Sequence, residues 1–298
     1  MSETKTGYIS IVGRTNVGKS TLLNNILDQK VSITSRKPQT TRHRLLGIKT
    51  LGNAQAVFVD TPGFHIGQKR ALNRYMNKVA VTSMAGVDVL LFVIEAMKLN
   101  DEDRSLLTKI PDDIKDVILI INKVDRMADK DKLLPFIQEV SGLYNFSEII
   151  PISALKGTNV KSIEKTIFEK LPSGKHSYPK DQVADTTERF LASEVIREKC
   201  ITRIGDEIPY RLSVMIDNFK TTKKLINIDA TLYIEKNSQK GIVIGQDGKR
   251  LKAIGTAARI ELEEILDTKI MLKLWVKVKS NWSDDEAMMS TMGYDLNK

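Results

Sequence analysis

The sequence predicts two domains of different class: an α/β domain with a mostly parallel sheet and helices on both faces, then a smaller α+β domain. Through residues 8–172, short apolar runs rich in β-branched residues alternate with stretches of helical spacing, a pattern typical of parallel strands buried on both faces. Residues 171–179 then contain two prolines, a glycine and small polar residues, which indicate a linker. The length of 298 residues agrees with two hydrophobic cores.

The strands of the first domain are predicted from apolar runs at residues 8–12, 55–59, 87–94, 116–121 and 149–152. The first run is followed by a glycine-containing loop, and then by a stretch in which apolar residues recur at helical spacing. The domain therefore opens with a strand, a loop and a helix.

The second domain has a different order of elements. We predict a helix over 187–204, strands over 211–219 and 225–234, a glycine-interrupted helical segment over 241–266, and a last strand over 270–278. The order α-β-β-α-α-β predicts a small sheet with its helices packed on one side.

The chain has a formal net charge of +9 and a pI of about 9.4, which indicates a polyanionic partner such as nucleic acid or an acidic membrane surface. Residues 181–217 are acidic overall and residues 236–279 are basic overall; a merely solvated surface is the alternative. No apolar run approaches the roughly 18 residues of a membrane span, and we expect no secretory signal. The single cysteine, Cys200, excludes an internal disulfide and fits a reducing, cytosolic setting.

Residues 13–20 fit the pattern G-x-x-x-x-G-K-[S/T] between the first strand and the first helix, which predicts a phosphate-binding loop. Glycines let the backbone amides wrap around phosphate, Lys19 should reach the β- and γ-phosphates and act in catalysis, and Ser20 should bind Mg²⁺. We assign seven residues of this region to nucleotide binding: Gly13, Asn16, Val17, Gly18, Lys19, Ser20 and Thr21.

Three further motifs follow at the ends of later strands. Asp60 is predicted to hold Mg²⁺ through water, and the Gly63 amide to meet the γ-phosphate. Asp125 can accept two hydrogen bonds from guanine, whereas adenine has no matching donor pair, so the motifs together predict GTP and GDP rather than ATP as ligands. The motif residues assigned to nucleotide binding are Asp60, Thr61, Pro62, Gly63, Asn122, Lys123, Asp125, Ser153, Ala154 and Leu155.

Two segments are predicted to switch with the nucleotide. Residues 34–42 are polar, basic and without periodicity, and Thr41, in preference to Thr40, would bind Mg²⁺ when a γ-phosphate is present. The alternative for this segment is a plain surface loop. The second switch would run over residues 63–68.

Phe64 stands where Ras-type GTPases carry the glutamine that orients the attacking water. Because phenylalanine cannot do this, intrinsic hydrolysis should be slow without another device. In related GTPases an asparagine at the position of Asn16 helps to hold a potassium ion beside the phosphates. We therefore expect Asn16 to act in catalysis with K⁺; a purely loop-structuring role is the alternative.

A second glycine motif lies in the second domain, where Gly245 and Gly248 form a G-x-x-G loop between helical stretches. In a KH domain this loop lets a nucleic-acid backbone approach the amino end of the next helix. The basic residues that follow and the order of elements favour RNA binding, whereas Asp247 should weaken phosphate affinity. The residues assigned to RNA binding are Ile244, Gly245, Gln246, Gly248, Lys249, Arg250 and Lys252.

The combination of these GTP-binding motifs with a C-terminal KH loop resembles the bacterial Era family of ribosome-assembly GTPases over nearly the whole chain. The resemblance implies a P-loop GTPase domain over 1–175, a linker over 176–186, and a type II KH domain with a C-terminal tail over 187–298. The chain departs from the family at Thr15, where proline is usual, and at Asp247.

The resemblance also implies a role. We expect GTP hydrolysis with Mg²⁺, binding near the 3′ end of small-subunit (16S) ribosomal RNA, and action in assembly of the 30S subunit. A cytoplasmic monomer with partial peripheral contact to the inner face of the cell membrane is expected. Two alternatives stay open: an RNA-binding assembly module whose GTP-binding domain only senses nucleotide, and a membrane-associated signalling GTPase.

Overall fold

The computed structural model describes residues 3–35, 37–66, 70–205, 208 and 211–294. The chain forms two compact units. The N-terminal unit contains residues 1–34, 41–68 and 76–185, and the C-terminal unit contains residues 35–40, 69–75 and 186–298. Two short segments from the first part of the chain, at 35–40 and 69–75, therefore belong to the C-terminal unit.

The N-terminal unit is built on a six-stranded sheet with the order β2-β3-β1-β4-β5-β6. Each strand pairs in parallel with its neighbour, except that β2 and β3 are antiparallel, so the predicted mostly parallel sheet is confirmed. The strands are β1 Lys5–Val12, β2 Leu45–Leu51, β3 Ala54–Asp60, β4 Val89–Glu95, β5 Asp116–Asn122 and β6 Glu148–Pro151.

Helices cover both faces of this sheet because its central strands are apolar on both sides. Along β4, Leu91 and Val93 pack into one core cluster and Phe92 and Ile94 into another on the opposite face. Every residue of this strand is buried. The helices are α1 Lys19–Leu27, α2 Ala71–Thr82, α3 Asp101–Leu107, α4 Leu133–Ser141 and α5 Val160–Lys170. Residues 71–75 of α2 belong to the C-terminal unit and the rest of α2 to the N-terminal unit.

The antiparallel edge strand β2 was not predicted from the sequence. It contains Gly47, where a Cβ atom would lie 2.5 Å from a methyl carbon of Leu27, so glycine allows α1 to pack closely. The free edge of β2 is also covered, because the Ile48 amide donates to the Val183 carbonyl at 2.7 Å. Part of the segment predicted as a linker thus continues the hydrogen bonding of the N-terminal unit.

The C-terminal unit has a three-stranded sheet with the order β7-β8-β9, in which β7 is antiparallel and β9 parallel to β8. Its apolar core lies on one side of the sheet, beneath α6, α7 and α8, which confirms the predicted α+β class. The elements are α6 Glu188–Arg203, β7 Ser213–Thr221, β8 Ile226–Ile234, α7 Asn237–Ile244, α8 Lys249–Leu266, β9 Ile270–Val278 and α9 Glu286–Thr291.

The segment after β9 is an ordered part of this unit. The side chain of Trp282 is fully buried, and its indole N–H donates to the Arg211 carbonyl at 3.0 Å. Its ring stacks on Tyr294, which in turn meets Tyr75 edge to face. No helix in the described part of the chain is long and apolar enough to cross a membrane.

Replacing Leu232 by alanine tests the packing of the C-terminal core. Leu232 is fully buried in the central strand β8, so we expect L232A to lower the free energy of unfolding by about 2–5 kcal/mol through lost contacts and a cavity. Urea denaturation followed by circular dichroism measures this. The matched control is L134A, because Leu134 is 71% exposed on α4. Equal unfolding midpoints for the two variants would contradict the burial described.

Candidate functional site

The phosphate loop joins the end of β1 to the first residue of α1. Gly13 and Gly18 have φ values of +156° and +103°, which residues with side chains rarely adopt. A Cβ atom at Gly13 would lie 2.3 Å from the Val93 carbonyl oxygen, and one at Gly18 would lie 2.3 Å from the side-chain nitrogen of Asn122. Both glycines are therefore required by space as well as by backbone conformation.

Lys19 lies within this loop. Its ammonium group donates to the carbonyl oxygens of Gly13 at 3.0 Å and Arg14 at 2.9 Å. Burial lowers the pKa of Lys19 to about 8, although the nearby carboxylate of Asp60 acts in the opposite direction. The loop thus holds a desolvated cation, which favours occupation by the negative charge of phosphate.

Hydroxyl and carboxylate oxygens converge beside the loop. The Ser20 hydroxyl donates to Asp60 Oδ2 at 2.8 Å and lies 2.7 Å from the Thr41 hydroxyl, and the Ser32 hydroxyl also donates to Asp60 at 2.9 Å. Burial raises the pKa of Asp60. Its second oxygen is buried and, among the described residues, has no hydrogen-bond partner. Hard oxygen donors of this kind, one of them unsatisfied, fit Mg²⁺.

Thr40 and Thr41 have different surroundings. The Thr41 hydroxyl joins the oxygen cluster, whereas the Thr40 hydroxyl donates to the Lys37 carbonyl at 2.7 Å. Within the C-terminal unit, the Thr40 carbonyl accepts from Arg197 and the Lys37 ammonium donates to the Ile204 carbonyl, each at 2.5 Å. The geometry therefore favours Thr41 over Thr40 as a metal ligand. Arg36, also in the predicted switch, lies outside the described residues.

The segment after β3 passes directly beside the phosphate loop. The Thr61 hydroxyl donates to the Ile11 carbonyl at 2.9 Å, and the Phe64 amide donates to the Gly13 carbonyl at 3.2 Å. A Cβ atom at Gly63 would lie 2.6 Å from the Cα atom of Thr15. This close approach needs glycine and places the backbone of Gly63 against the phosphate loop at Thr15.

The side chain of Phe64 turns away from this site into the apolar core and is 6% exposed. The residues after it are held by α3, because the Glu102 carboxylate contacts His65 Nδ1 and accepts from the Ile66 amide. Gly67 and Gln68, the last two residues of the predicted second switch, lie outside the described part of the chain.

Asp103, which follows Glu102 in α3, is hydrogen-bonded to the phosphate loop. Asp103, fully buried, accepts from Arg14 Nε at 3.1 Å, and it also completes a capping box with Asn100. Sequence reasoning missed Glu102 and Asp103. The pattern Asn100-x-x-Asp103 signals the start of a helix, but nothing local indicates that its acids reach residues so distant in the chain.

The guanine motif lies at the ends of β5 and β6. The Asn122 side chain donates to the Val17 carbonyl at 2.7 Å and accepts from the Ala154 amide at 2.9 Å. The Ser153 hydroxyl donates to Asp125 Oδ1 at 2.5 Å. The predicted base-binding residues are therefore brought together with the phosphate loop, and Leu155, next to them, is exposed.

Lys123 links this motif to the phosphate loop. Its ammonium group donates to the Asn16 carbonyl at 2.5 Å and to Glu95 Oε2 at 2.6 Å. Asn16 has a φ of +63°, a left-handed conformation that asparagine tolerates better than most residues. The sequence motifs did not indicate Glu95. It is the last residue of the buried strand β4, and ligands of open α/β folds bind at the carboxyl ends of the strands.

The predicted RNA loop joins α7 to α8. Gly245 and Gly248 have φ values of +73° and +72°. A Cβ atom at Gly245 would meet Arg250 Cβ at 2.7 Å, whereas one at Gly248 would have nothing within 4 Å. Gly248 therefore leaves its backbone open to a ligand, at the amino end of α8.

A groove continues from this loop between α8 and β9, lined by Gly248, Leu251, Lys252, Gly255, Thr256, Arg259, Leu272 and Leu274. The acid in the loop is partly neutralised, because Asp247 lies 3.5 Å from the exposed Lys249 ammonium group. Arg250 instead donates to the Ile242 carbonyl on α7. The groove thus combines an apolar floor with a basic rim, as nucleic-acid sites do.

Two family models match the chain: a 50S ribosome-binding GTPase over residues 8–123 and a KH domain over residues 207–283. GTPase Era of Glaesserella parasuis serovar 5 is 50% identical over 99% of both chains. GTPase Era of Ectopseudomonas mendocina is 49% identical over 97% of this chain and 96% of its own.

Solved structures give the same relationship. A variant of Aquifex aeolicus Era bound to GDP and AlF₄⁻ has a TM-score of 0.94 and 39% identity, covering 98% of this chain and 100% of its own. Era in complex with MgGDPNP and nucleotides 1506–1542 of 16S ribosomal RNA has a TM-score of 0.94 and 40% identity over the same shares. The chain has the nucleotide motifs and a KH loop, and it shares about half of its residues with these relatives over nearly their full length. It therefore belongs to the GTPase Era family.

Proposed function

We propose that this chain is a GTP-driven switch that binds small-subunit ribosomal RNA near its 3′ end during assembly of the 30S subunit. The observation that carries the proposal is that one chain brings the predicted guanine-nucleotide residues together around its phosphate loop and also contains an open G-x-x-G groove. An Era structure that shares 40% of its residues with this chain contains both MgGDPNP and a 16S fragment, which supports the same pair of ligands here.

In this proposal the phosphates lie in the loop between β1 and α1, where Lys19 offers its charge to the β- and γ-phosphates. Ser20, Thr41 and Asp60 would hold Mg²⁺, and that ion supplies positive charge to the phosphate oxygens when it is bound. The Gly63 amide would meet the γ-phosphate. The positions of Thr41 and of the Gly63 backbone would therefore depend on whether the γ-phosphate is present.

The water that attacks the γ-phosphate needs a positioning device other than the side chain of Phe64, which is buried in the apolar core. We assign part of this device to Asn16 and a potassium ion. The support is the left-handed backbone of Asn16, whose carbonyl is held by Lys123 at 2.5 Å in the rim of the phosphate loop. The alternative from the sequence, an RNA-binding module whose GTP-binding domain only senses nucleotide, would apply only if no such device existed.

RNA would bind along the groove between α8 and β9, with its backbone at Gly248 and its phosphates near Lys249 and Lys252. Ile244, Gly245, Gln246 and Arg250 would shape the loop. We place the functional domains at 1–175 and 187–298, with residues 176–186 between them. We also propose that the protein acts as a cytoplasmic monomer, with peripheral contact to the inner face of the cell membrane through its basic surface.

Exchanging Asp125 for asparagine should change the base that is preferred. The carboxylate would accept two hydrogen bonds from guanine, so D125N should weaken GTP binding by at least about 100-fold, since hydrogen bonds to charged groups contribute about 1.5–3 kcal/mol each. Binding of xanthosine triphosphate, whose ring offers an acceptor to the new amide, should improve. Fluorescent-nucleotide titration measures both, with D129N as the control at a nearby exposed acid. Retained preference for GTP would remove Asp125 from the base site.

Potassium should accelerate GTP turnover through Asn16. Wild-type turnover should be faster in KCl than in NaCl at equal ionic strength, and N16G should lose the difference, because glycine keeps the left-handed backbone but removes the side chain. The matched control is N281G, where asparagine has a φ of +54° in the C-terminal unit. Equal turnover of the wild type in both salts would exclude the potassium mechanism, and no turnover in either salt would favour the nucleotide-sensing module.

An acid at Gly248 should weaken RNA binding without changing GTP binding. G248D places a carboxylate where the RNA backbone approaches, so we expect the dissociation constant for the 16S fragment 1506–1542 to rise roughly tenfold or more. The control is G205D, which adds the same charge to the C-terminal unit at a glycine with open space around it. If both variants bind the fragment as the wild type does, the loop is not the RNA site.

A further inference from the structure

The sheet of the C-terminal unit has a second face, opposite its helices, that carries an exposed tryptophan between two lysines. Side chains along β9 alternate between the two faces. Those that face the helices pack against the apolar core: Ile270, Leu272, Leu274, Val276 and Val278. The intervening side chains are exposed: Met271, Lys273, Trp275 and Lys277. We define Lys273, Trp275 and Lys277 as the Lys-Trp-Lys stripe.

Trp275 is 45% exposed, which is unusual for the residue with the largest side chain. Lys273 and Lys277 lie two residues away on either side, at a spacing of about 6.6 Å along an extended strand. Neither lysine makes a salt bridge with any residue that the structure describes, although Asp229 stands opposite Lys273 on β8. An aromatic surface flanked by cations is the arrangement that stacks bases and contacts phosphates.

The neighbouring strand adds hydrogen-bonding groups to the same face. The register pairs Asp229 with Lys273 and Thr231 with Trp275. The Asp229 carboxylate accepts from Asn218 at 3.0 Å, and the Thr231 hydroxyl donates to Asp217 at 2.6 Å. The half-buried Asp229 carboxylate can accept from a base edge, whereas Thr231 is buried and its bond to Asp217 lies within the sheet. Carboxylates on this face repel anionic lipid headgroups and RNA phosphates alike, but only a nucleic-acid base can offset this repulsion by donating hydrogen bonds to them.

The stripe is continuous with the groove at the G-x-x-G loop. Leu272 and Leu274 line that groove, and the side chains between and after them, Lys273 and Trp275, belong to the other face of the same strand. β9 is the last strand in the order of the described sheet. A strand of RNA that leaves the groove across β9 therefore reaches Trp275 after a short distance.

We propose that the Lys-Trp-Lys stripe is a second RNA contact, in which a base outside the groove stacks on Trp275 while adjoining phosphates contact Lys273 and Lys277. This inference rests on the proposed RNA binding of the groove and extends it from the loop to the opposite face of β9. It predicts that the protein holds a longer segment of RNA than the groove alone can accommodate.

The test compares two RNA probes on the full-length protein with a non-hydrolysable GTP analogue. One probe is the 16S fragment 1506–1542, and the other is its tightest-binding four-nucleotide segment, the length that a KH groove clamps. W275A should weaken binding of the long probe by about 5- to 100-fold, as loss of one stacked base does, and leave the short probe unchanged. W275F, which keeps an aromatic face, should restore most of the affinity.

The two lysines of the stripe are tested separately, by the salt dependence of RNA binding. K273A and K277A should each reduce the slope of log affinity against log salt concentration by roughly 0.7–1 for the long probe, because each removes about one phosphate contact. The controls are L134A and K165A, which remove an exposed leucine on α4 and an exposed lysine on α5. Neither should change the affinity or the slope.

Unchanged affinity of W275A for the long probe would overturn the proposal. It would also be overturned if W275A bound RNA normally but lost flotation with vesicles of phosphatidylglycerol and phosphatidylethanolamine, because the stripe would then be a membrane surface. If the groove is not an RNA site, G248D will bind both probes as the wild type does. The affinity of W275A for the long probe would still test the stripe on its own.

Discussion

The nucleotide site depends on one buried carboxamide, that of Asn122. Its nitrogen holds the Val17 carbonyl of the phosphate loop, and its oxygen accepts from the amides of Lys123 and Ala154. Three loops from distant parts of the chain are thus joined by a single side chain that can both donate and accept. Gly18 is part of the same arrangement, because a side chain there would displace the Asn122 nitrogen. An aspartate of similar size could accept but not donate when ionised, and a leucine could make none of these bonds.

Much of this site can be predicted from the sequence because parallel strands bring their carboxyl ends to one edge. Lys19, Asp60 and Asp125 each follow a recognisable strand, so the fold places them together once the sheet is known. Ser20, Asp60 and Thr41, the three residues predicted to bind the metal, lie in contact with one another. Local signals suffice here because each motif is short and each strand is almost wholly apolar.

The features that the sequence did not indicate all depend on contacts between distant residues. No motif near Glu95 or Asp103 indicates that they bind Lys123 and Arg14, which lie far away in the chain. β2 was not predicted because the sequence gives no reason for a glycine within a strand. Only the close packing of α1 explains Gly47. Trp282, beyond the last predicted strand, is buried through contacts with Arg211 and Tyr294. Periodicity describes how one element is buried, but not which remote partner covers a polar or aromatic side chain.

The two tryptophans of the chain, Trp275 and Trp282, both lie in the C-terminal unit, and their surroundings are opposite. One indole is open to solvent and the other is enclosed and hydrogen-bonded. The intrinsic fluorescence of the protein is therefore a native reporter of the C-terminal unit alone, without an added label. Emission at longer wavelength, accessible to quenchers such as iodide, comes from Trp275, and the shielded emission at shorter wavelength comes from Trp282. Changes in the two components separate an event on the open sheet face from a loosening of the C-terminal packing.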